Sequence, residues 1–377
     1  MQLTYHVTKA CNLRCHYCYY ADFAAPRLPL DIALRGTDQV LHLGHPHLGV
    51  TFFGGEPLLA KDLIRRLLPE VERRAAARGV SVNFKVPTNG THLDEEFLSF
   101  AEAHALFVSL SIDGDEPAHA SRVGADGGSS FPEARRALEL LVARATSFAT
   151  YSVVTPANVA RLARSVEFLY EAGSRILIVA LDHGAPWTRR DLDALGRGYR
   201  RLGDFYVRET IRRRRFYLSP FDAKILAHTR PDPGDDTVCR IGVNQLSLAP
   251  DGAWFPCIQF VERPELAVGH VATGIDLARC RALHRESAGA DPACGSCGIA
   301  ERCGHHCACL SLQATGTLSG VPPVLCEHER LLTPIADAVA RRLFRRRAPL
   351  FVQKHYNPHY DLLTALEDVV LERSESR

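Results

Sequence analysis

Three cysteines near the start of the chain, Cys11, Cys15 and Cys18, stand in a C-x3-C-x2-C spacing within Thr8-Lys9-Ala10-Cys11-Asn12-Leu13-Arg14-Cys15-His16-Tyr17-Cys18. Three thiolates in one short loop can hold three irons of a [4Fe–4S] cube. The fourth iron then has no protein ligand, so a small molecule can bind there and receive an electron. A cluster that only carries electrons is usually closed by a fourth cysteine, so an open iron is a site for chemistry. The rival reading is a zinc knuckle or a set of core thiols. Zinc usually takes four ligands, and among the neighbours only His16 offers one.

The remaining nine of the twelve cysteines lie between Cys239 and Cys326, with none between Cys18 and Cys239. In a reducing compartment such clusters bind metal or do catalysis rather than form disulfides. The N-terminus lacks a basic stretch followed by an apolar run, and no segment approaches a membrane span. A cytoplasmic protein with no membrane contact is therefore expected. A formal net charge of +2 over 377 residues gives no global field for nucleic acid. The composition, 46% hydrophobic and 23% charged, suits a globular protein with room for two or three domains.

These cysteine groups need elements to hold them. Short apolar runs at Leu3–Thr8, Gly49–Phe53, Val80–Pro87, Leu106–Ile112, Thr150–Thr155 and Arg175–Leu181 read as strands. Helix-period stretches at Ala60–Arg78, Asp94–His104, Phe131–Ala145 and Asn158–Ala172 lie between them. The expected fold class is α/β: a partial (β/α)6 TIM-like barrel with a C-terminal Cys-rich domain. The expected domains are the barrel (1–186), a helical bridge and linker (187–236), the Cys-rich domain (237–330) and a helical tail (331–377). The bridge carries Arg212-Arg213-Arg214-Arg215, read as a solvated helix face or as a grip on an acidic peptide. Pro231 to Asp236 reads as linker. Asn244–Ala249 and Ala253–Phe255 suggest a hairpin turning at Asp251-Gly252.

In parallel α/β architectures functional loops follow the C-terminal ends of strands, and the first cysteine loop does so. After the second strand comes Gly54-Gly55-Glu56-Pro57, where glycines admit close backbone approach and Glu56 can accept a hydrogen bond from an ammonium group. Pro87-Thr88-Asn89-Gly90 and Ser111-Ile112-Asp113-Gly114 end the third and fourth strands; alone, Asn-Gly and Asp-Gly are turn signals. His119 and Arg122 follow, Arg122 able to pair with a carboxylate or simply to sit in solvent. Asn158 after the fifth strand reads equally as a helix N-cap, and Asp182 and His183 follow the sixth.

The first cysteine motif, with Tyr17 before its third cysteine, resembles the signature of radical S-adenosylmethionine (SAM) enzymes. The Gly54-Gly55-Glu56 run looks like the motif that receives the amino group of SAM. The Cys239, Gly252-x4-Cys257, Cys294-x2-Cys297-x5-Cys303-x3-Cys307 and Cys326 pattern resembles the seven-cysteine SPASM domain found after such barrels in peptide and protein maturases. The resemblance implies SAM as cofactor with three [4Fe–4S] clusters. One is SAM-binding, on Cys11, Cys15 and Cys18, and two are auxiliary. Cys239, Cys257 and Cys307 match ligands of the first auxiliary cluster, and Cys294, Cys297, Cys303 and Cys326 those of the second. The first is one ligand short; Cys280 or Cys309 could complete it, or the iron is open to a substrate thiolate. Ser111, Asp113, Arg122 and Asn158 correspond to segments lining the SAM and substrate pocket.

The implied activity is reductive cleavage of SAM, hydrogen abstraction from a residue of a ribosomally made peptide, and C–S or C–C crosslinking. Anaerobic sulfatase-maturating enzymes share the layout but carry an aspartate base directly after the cysteine matching Cys257. Here Ile258 stands there and cannot take a proton, so formylglycine formation is the alternative rather than the first reading. A zinc-binding interaction protein is the alternative from a different class. No catalytic side chain beyond the cluster is assigned. The implied partners are a peptide or protein substrate and an electron donor such as flavodoxin or ferredoxin. Because the first strand begins at Leu3, a separate leader-recognition protein is a further expectation.

Overall fold

A computed structural model of the chain describes residues 1–20, 26–229, 240–289, 294–303 and 307–360. Its centre is a nine-stranded sheet in the order β7-β6-β5-β4-β3-β2-β1-β8-β9. The strands are β1 (Gln2–Thr8), β2 (His47–Gly54), β3 (Ser81–Thr88), β4 (Leu106–Ser111), β5 (Phe148–Val154), β6 (Ile176–Leu181), β7 (Tyr217–Leu218), β8 (Gln245–Leu248) and β9 (Trp254–Phe255). All neighbours pair in parallel except β8 and β9. A separate antiparallel pair, β10 (Gly269–His270) and β11 (Gly274–Ile275), follows.

The helices are α1 (Leu30–Leu41), α2 (Lys61–Ala76), α3 (Glu95–Ala103), α4 (Glu116–His119), α5 (Phe131–Ala143), α6 (Leu162–Glu171), α7 (Arg189–Ile211), α8 (Ser219–Thr229), α9 (Leu277–Ser287), α10 (Ala308–Thr315), α11 (Pro323–Arg345) and α12 (Pro349–Tyr356). Alternation in β1 sets the layers: Leu3, Tyr5 and Val7 are fully buried, and the Tyr5 hydroxyl meets Thr37 Oγ1 of α1 at 2.7 Å. The rings of Tyr5, Phe52 and Phe84 stack across three neighbouring strands at 6.1 and 6.0 Å. On α2, Leu63, Ile64, Leu67, Leu68, Val71 and Ala75 form the buried stripe a helix needs against a sheet. The six parallel strand–helix units are those expected from the sequence, as a partial barrel.

The sheet extends beyond six strands on both edges. At one edge β7 adds to β6; at the other β8 lies parallel to β1, pairing Gln2 with Gln245 through Tyr5 with Leu248. The hairpin expected at Asp251-Gly252 forms, yet its first strand belongs to the barrel sheet, so the 237–330 stretch shares that sheet. Helix α1 completes the first strand–helix unit, although Gly36 and Thr37 in its middle lower helix propensity. The glycine has a cause: a Cβ on Gly36 would stand 2.5 Å from Leu248 Cδ2 and 3.2 Å from Trp254. Helix α7 opens with a capping box from Thr188 and Asp191 and stops at Ile211. The arginine run therefore follows the helix instead of lining its face, and Arg212 and Arg214 turn back onto buried Glu209. The boundary expected at 330 falls inside α11, which carries Cys326 near its start and buries Leu332, Ala336 and Leu343 further on. Cys239, the linker at 231–236 and the tail from 361 lie outside the described residues.

Candidate active site at the barrel mouth

The loop after β1 is held by backbone partners more than a hundred residues away. Arg14 N donates to Val123 O at 2.7 Å, His16 N to Ser121 O at 3.0 Å, and Ala125 N back to Asn12 O at 3.0 Å. Cys18 N closes a turn onto Cys15 O at 3.0 Å. Cys11, Cys15 and Cys18 are thereby presented to one cavity of about 630 Å³. Burial pushes the Cys11 thiol up to about 12 and also raises Cys15 and Cys18, with nearby Arg122 favouring both thiolates. Three thiols that resist ionisation on their own are suited to a positive metal centre, which supplies the missing charge.

Gly54 and Gly55 have a specific steric role. Gly54 has φ +148°, and a Cβ there would lie 2.0 Å from Thr8 O; on Gly55 it would lie 2.3 Å from Ala10 O. The close approach expected towards a ligand is made to the cysteine loop's own backbone. It lets Gly55 N and Glu56 N donate to Thr8 O and Ala10 O at 3.0 and 2.8 Å. Glu56, 1% exposed, accepts from Leu58 N at 2.9 Å, Thr88 Oγ1 at 2.7 Å and Asn89 N at 2.7 Å. Burial raises its carboxyl above the ordinary value, opposed by these three donors. Its carboxylate thus ties β2 to the end of β3 while the residue still lines the cavity.

Asp113 and Arg122 form the other side of the mouth. The Arg122 guanidinium grips Asp113 with two bonds of 3.1 Å, a bidentate pair, and both residues are buried. The sequence allowed a solvent-exposed Arg122; the structure instead places it under the cysteine loop, because Asp113 is already buried and anchors it. Tyr17 OH also donates to Asp113 at 2.9 Å, and its ring lies 5.3 Å from the guanidinium. His119 Nδ1 accepts from Asp113 N at 3.2 Å, so Nε2–H faces Ser130 Oγ at 3.1 Å, which donates to Arg122 O at 2.6 Å. Burial holds the His119 imidazole down to about 4, so it stays neutral.

Of the four residues expected after the later strands, Ser111 and Arg122 line the cavity, while Asp113 and Asn158 stand behind its wall. Asn158 does not cap a helix with its side chain; it accepts from Thr155 N and donates to Ala118 O and Val153 O. Asp182 and His183 after β6 do line the cavity.

The far wall comes from the Cys-rich half. Ile258, Gln259 and Cys307 line the same cavity as Cys11, Cys15 and Cys18. So do His328 and Glu329 of α11, which the sequence did not single out. His328 follows Cys326 by two positions, and that was the only local signal. Glu329 pairs with buried Lys224, while Arg302, beside Cys303, grips Asp337 of α11 at 2.7 and 2.9 Å. Lys224 Nζ also donates to Arg302 O at 3.3 Å, so one lysine joins the residue before Cys303 to Glu329 of α11. Among the described residues no three His, Cys, Asp or Glu side chains gather closely enough for a single ion; a cube spreads its thiolates over separate irons. The donor set and the glycine contacts at the mouth fit a cluster on Cys11, Cys15 and Cys18 with SAM beside it.

Comparison with known proteins agrees with this geometry. Residues 5–169 match the family described as the Radical SAM superfamily. A cysteine-type anaerobic sulfatase-maturating enzyme of Clostridium perfringens (strain 13 / Type A) is 31% identical over 162 residues, covering 41% of this chain and 44% of that protein. This chain therefore spans about half the length of the curated relatives it matches. Among solved structures, His6-tagged anSMEcpe with bound AdoMet superposes with a TM-score of 0.79 at 19% identity, over 94% of this chain and 98% of that one. Streptococcus suis SuiB bound to precursor peptide SuiA gives 0.58 at 15%, over 86% and 75%. The likeness in fold runs through the Cys-rich half as well as the barrel, and the superfamily uses SAM with [4Fe–4S] clusters. Residues 5–169 of this chain form a radical SAM domain.

Proposed function

We propose that this chain is a radical SAM maturase that modifies a residue of a peptide or protein. The observation that carries the reading is the single cavity lined by Cys11, Cys15 and Cys18 on one side and by Ile258, Gln259 and Cys307 on the other. With a [4Fe–4S] cluster on the three thiolates, SAM supplies a 5′-deoxyadenosyl radical that takes a hydrogen atom from the substrate. Glu56 and the two glycines set the mouth against the cysteine loop, and Arg122 is available to a carboxylate on its cavity side. Cys239, Cys257 and Cys307, and Cys294, Cys297, Cys303 and Cys326, would hold two auxiliary clusters, which would supply an electron acceptor beside the substrate. A volume of about 630 Å³ holds a cofactor together with one substrate side chain.

Ile258 favours oxidative C–S or C–C crosslinking over formylglycine formation, because the side chain facing the cavity at that place has no proton acceptor. The relatives named above, a sulfatase-maturating enzyme and SuiB bound to its precursor peptide, support a peptide or protein as substrate. An external reductant such as flavodoxin or ferredoxin and a separate leader-recognition protein complete the proposed system, in the cytoplasm. No described helix is long and apolar enough to cross a membrane.

The test is anaerobic. The chain is reconstituted with iron and sulfide, both are counted, and SAM and dithionite are added while 5′-deoxyadenosine is followed by chromatography. About twelve irons per chain, with SAM cleavage lost in Cys15→Ala, is the expected result. Zinc in place of iron with SAM left intact would leave the zinc-binding interaction protein as the reading.

A further inference from the structure

Two arginine runs far apart in the sequence lie at one end of the molecule. Helices α7 and α11 pack side by side and run in the same direction, as three contacts in ascending order establish. A Cβ on Gly196 would stand 3.1 Å from Leu331 Cδ1, one on Gly203 would stand 2.9 Å from Val339 Cγ2, and Asp204 takes Arg342 at 2.6 Å. Both helices therefore end together, α7 at Ile211 and α11 at Arg345. Arg212 to Arg215 follow the first, and Arg345 to Arg347 close the second.

The stretches 208–215 and 341–347 hold ten arginines and one carboxylate, that of Glu209. Glu209 is buried and takes Arg208, Arg212 and Arg214. Arg213, Arg341, Arg345, Arg346 and Arg347 are exposed and form no ion pair among the described residues. A helix C-terminus carries only about half a negative charge, so two of them answer one arginine and leave the rest in excess. Arg213 and Arg347 hold φ of +59° and +48°, the left-handed cap position where glycine is the usual choice. At both helix ends a charge stands where a glycine would relax the backbone.

Apolar side chains share this end. Of the seven large hydrophobics exposed among the described residues, four are Ile211, Phe344, Val352 and Tyr356. Helix α12, which carries the last two, is held to α7 by Tyr206 OH and His355 Nε2 at 3.1 Å. Phe344 and Tyr356 are 55% and 48% exposed, and their rings pack on each other at 5.6 Å. Rings paired in this way, with aliphatic neighbours, are not a platform on which bases stack. They suit apolar side chains spaced among carboxylates.

We propose that the joined ends of α7 and α11, with α12, are an exosite for an acidic, amphipathic segment of the peptide substrate. This rests on the maturase reading and deepens it by stating what the substrate carries. The exosite is remote from the cavity. Glu329 lines the cavity, and Arg345 ends the same helix about 24 Å further on at 1.5 Å per residue. An extended chain covers that distance in about seven residues, so the acidic segment stands at least that far from the residue that is modified. Cys326 lies near the opposite end of α11, which disfavours an acidic electron donor as the occupant.

The test is fluorescence anisotropy on the full chain, with a fluorescein-labelled peptide of Glu and Leu at helical spacing as the probe. Binding that weakens with salt and is absent for the same peptide with Gln in place of Glu is expected. Arg213→Glu with Arg346→Glu should weaken it at least about tenfold, and Phe344→Ala about fivefold. Arg189→Glu with Arg190→Glu, at the other end of α7, should leave it unchanged. If circular dichroism shows the first reversal variant unfolded, Arg213→Gln with Arg346→Gln is read instead, with a smaller loss in the same direction. No binding by the unaltered chain, or equal loss in the control, would overturn the proposal. So would tighter binding of a single-stranded oligonucleotide or of phosphatidylserine vesicles through the same arginines. Peptide binding that emerges only after Glu367, Asp368, Glu372 and Glu375 are all changed to Gln would make segment 361–377 the occupant and overturn it too. The assay needs no cluster. A chain that cleaves SAM but ignores the peptide removes this proposal alone; one that binds the peptide but never cleaves SAM removes the maturase reading and the exosite's substrate role with it.

Discussion

The two cysteine regions are built on opposite plans. The loop carrying Cys11, Cys15 and Cys18 is pinned by backbone bonds to residues 121–125 and by the Gly54–Glu56 turn, all of them distant in sequence. Among the described residues, the backbone–backbone bonds of the segment carrying Cys294, Cys297 and Cys303 run within it, from Cys297 N to Cys294 O, Ala300 N to Cys297 O, Arg302 N to Ile299 O and Cys303 N to Ala300 O. Of its described elements, the 3-10 turn Ala300–Arg302 has no buried residue. The first region is organised by the barrel, so a cluster on its three thiolates would enter a prepared place. The second has little apolar burial of its own, so a metal centre held on its cysteines would supply its order, as in small Cys-rich modules.

That contrast predicts its largest effect on iron removal. In reconstituted protein treated anaerobically with a chelator, amides of 294–303 should lose hydrogen-exchange protection by orders of magnitude. Those of Arg14 and His16 should stay protected, because their acceptors belong to the folded barrel. Equal loss in both regions, read by mass spectrometry, would break the comparison.

The preformed mouth should be intolerant of a single methyl group. Gly55→Ala places a Cβ 2.3 Å from Ala10 O, so the turn must retreat from the cysteine loop and give up its bonds to Thr8 and Ala10. A loss of about 4 kcal/mol in denaturant unfolding is expected, against under about 1 kcal/mol for an alanine at Gly298, where nothing lies within 4 Å.

The mouth should also be acid-sensitive through His119. Folding lowers this imidazole from 6.5 to about 4, so between those values the unfolded chain binds more protons than the folded one. Stability therefore rises with pH across that window and is lost as pH falls from 6.5 towards 4, by about 3 kcal/mol at the acid end. His119→Gln should flatten that limb of the stability–pH curve; an unchanged limb would place the acid sensitivity elsewhere.

Much of this was legible in the sequence, for identifiable reasons. The six strands and their helices carry the period-2 and period-3.6 patterns that burial on a parallel sheet imposes, and the cysteine spacings are local. What was missed depends on contacts remote in sequence. Helix α1 looks weak because Gly36 answers to Leu248 and Trp254, more than two hundred residues on. Strand β8 reads as half of a hairpin, and nothing within it announces its pairing with β1. Glu56 and Asp113 were expected to face ligand, yet their carboxylates are engaged by Thr88, Asn89, Arg122 and Tyr17. A motif shows which residue types the site needs and not whether each touches the ligand or supports one that does. His328 and Glu329 reach the cavity because α11 returns across the barrel, a fact of tertiary packing alone.

The smallest effect sharpens the comparison most. Among the described residues of the second region, Arg302 links segment 294–303 to the rest of the fold by side-chain bonds to Asp337 and to Lys224 O. Both carboxylate and guanidinium are partly exposed, at 26% and 20%, so Arg302→Ala should cost only about 1 kcal/mol of global stability. Its signature is local. If the metal orders the segment internally, the loaded variant should keep 294–303 protected while amides of Glu329 and its neighbours on α11 exchange faster, since Lys224 loses its bracing. If protection collapses across 294–303 in the loaded variant as well, the tether rather than the metal organises that region, and the two cysteine sites follow one plan instead of two.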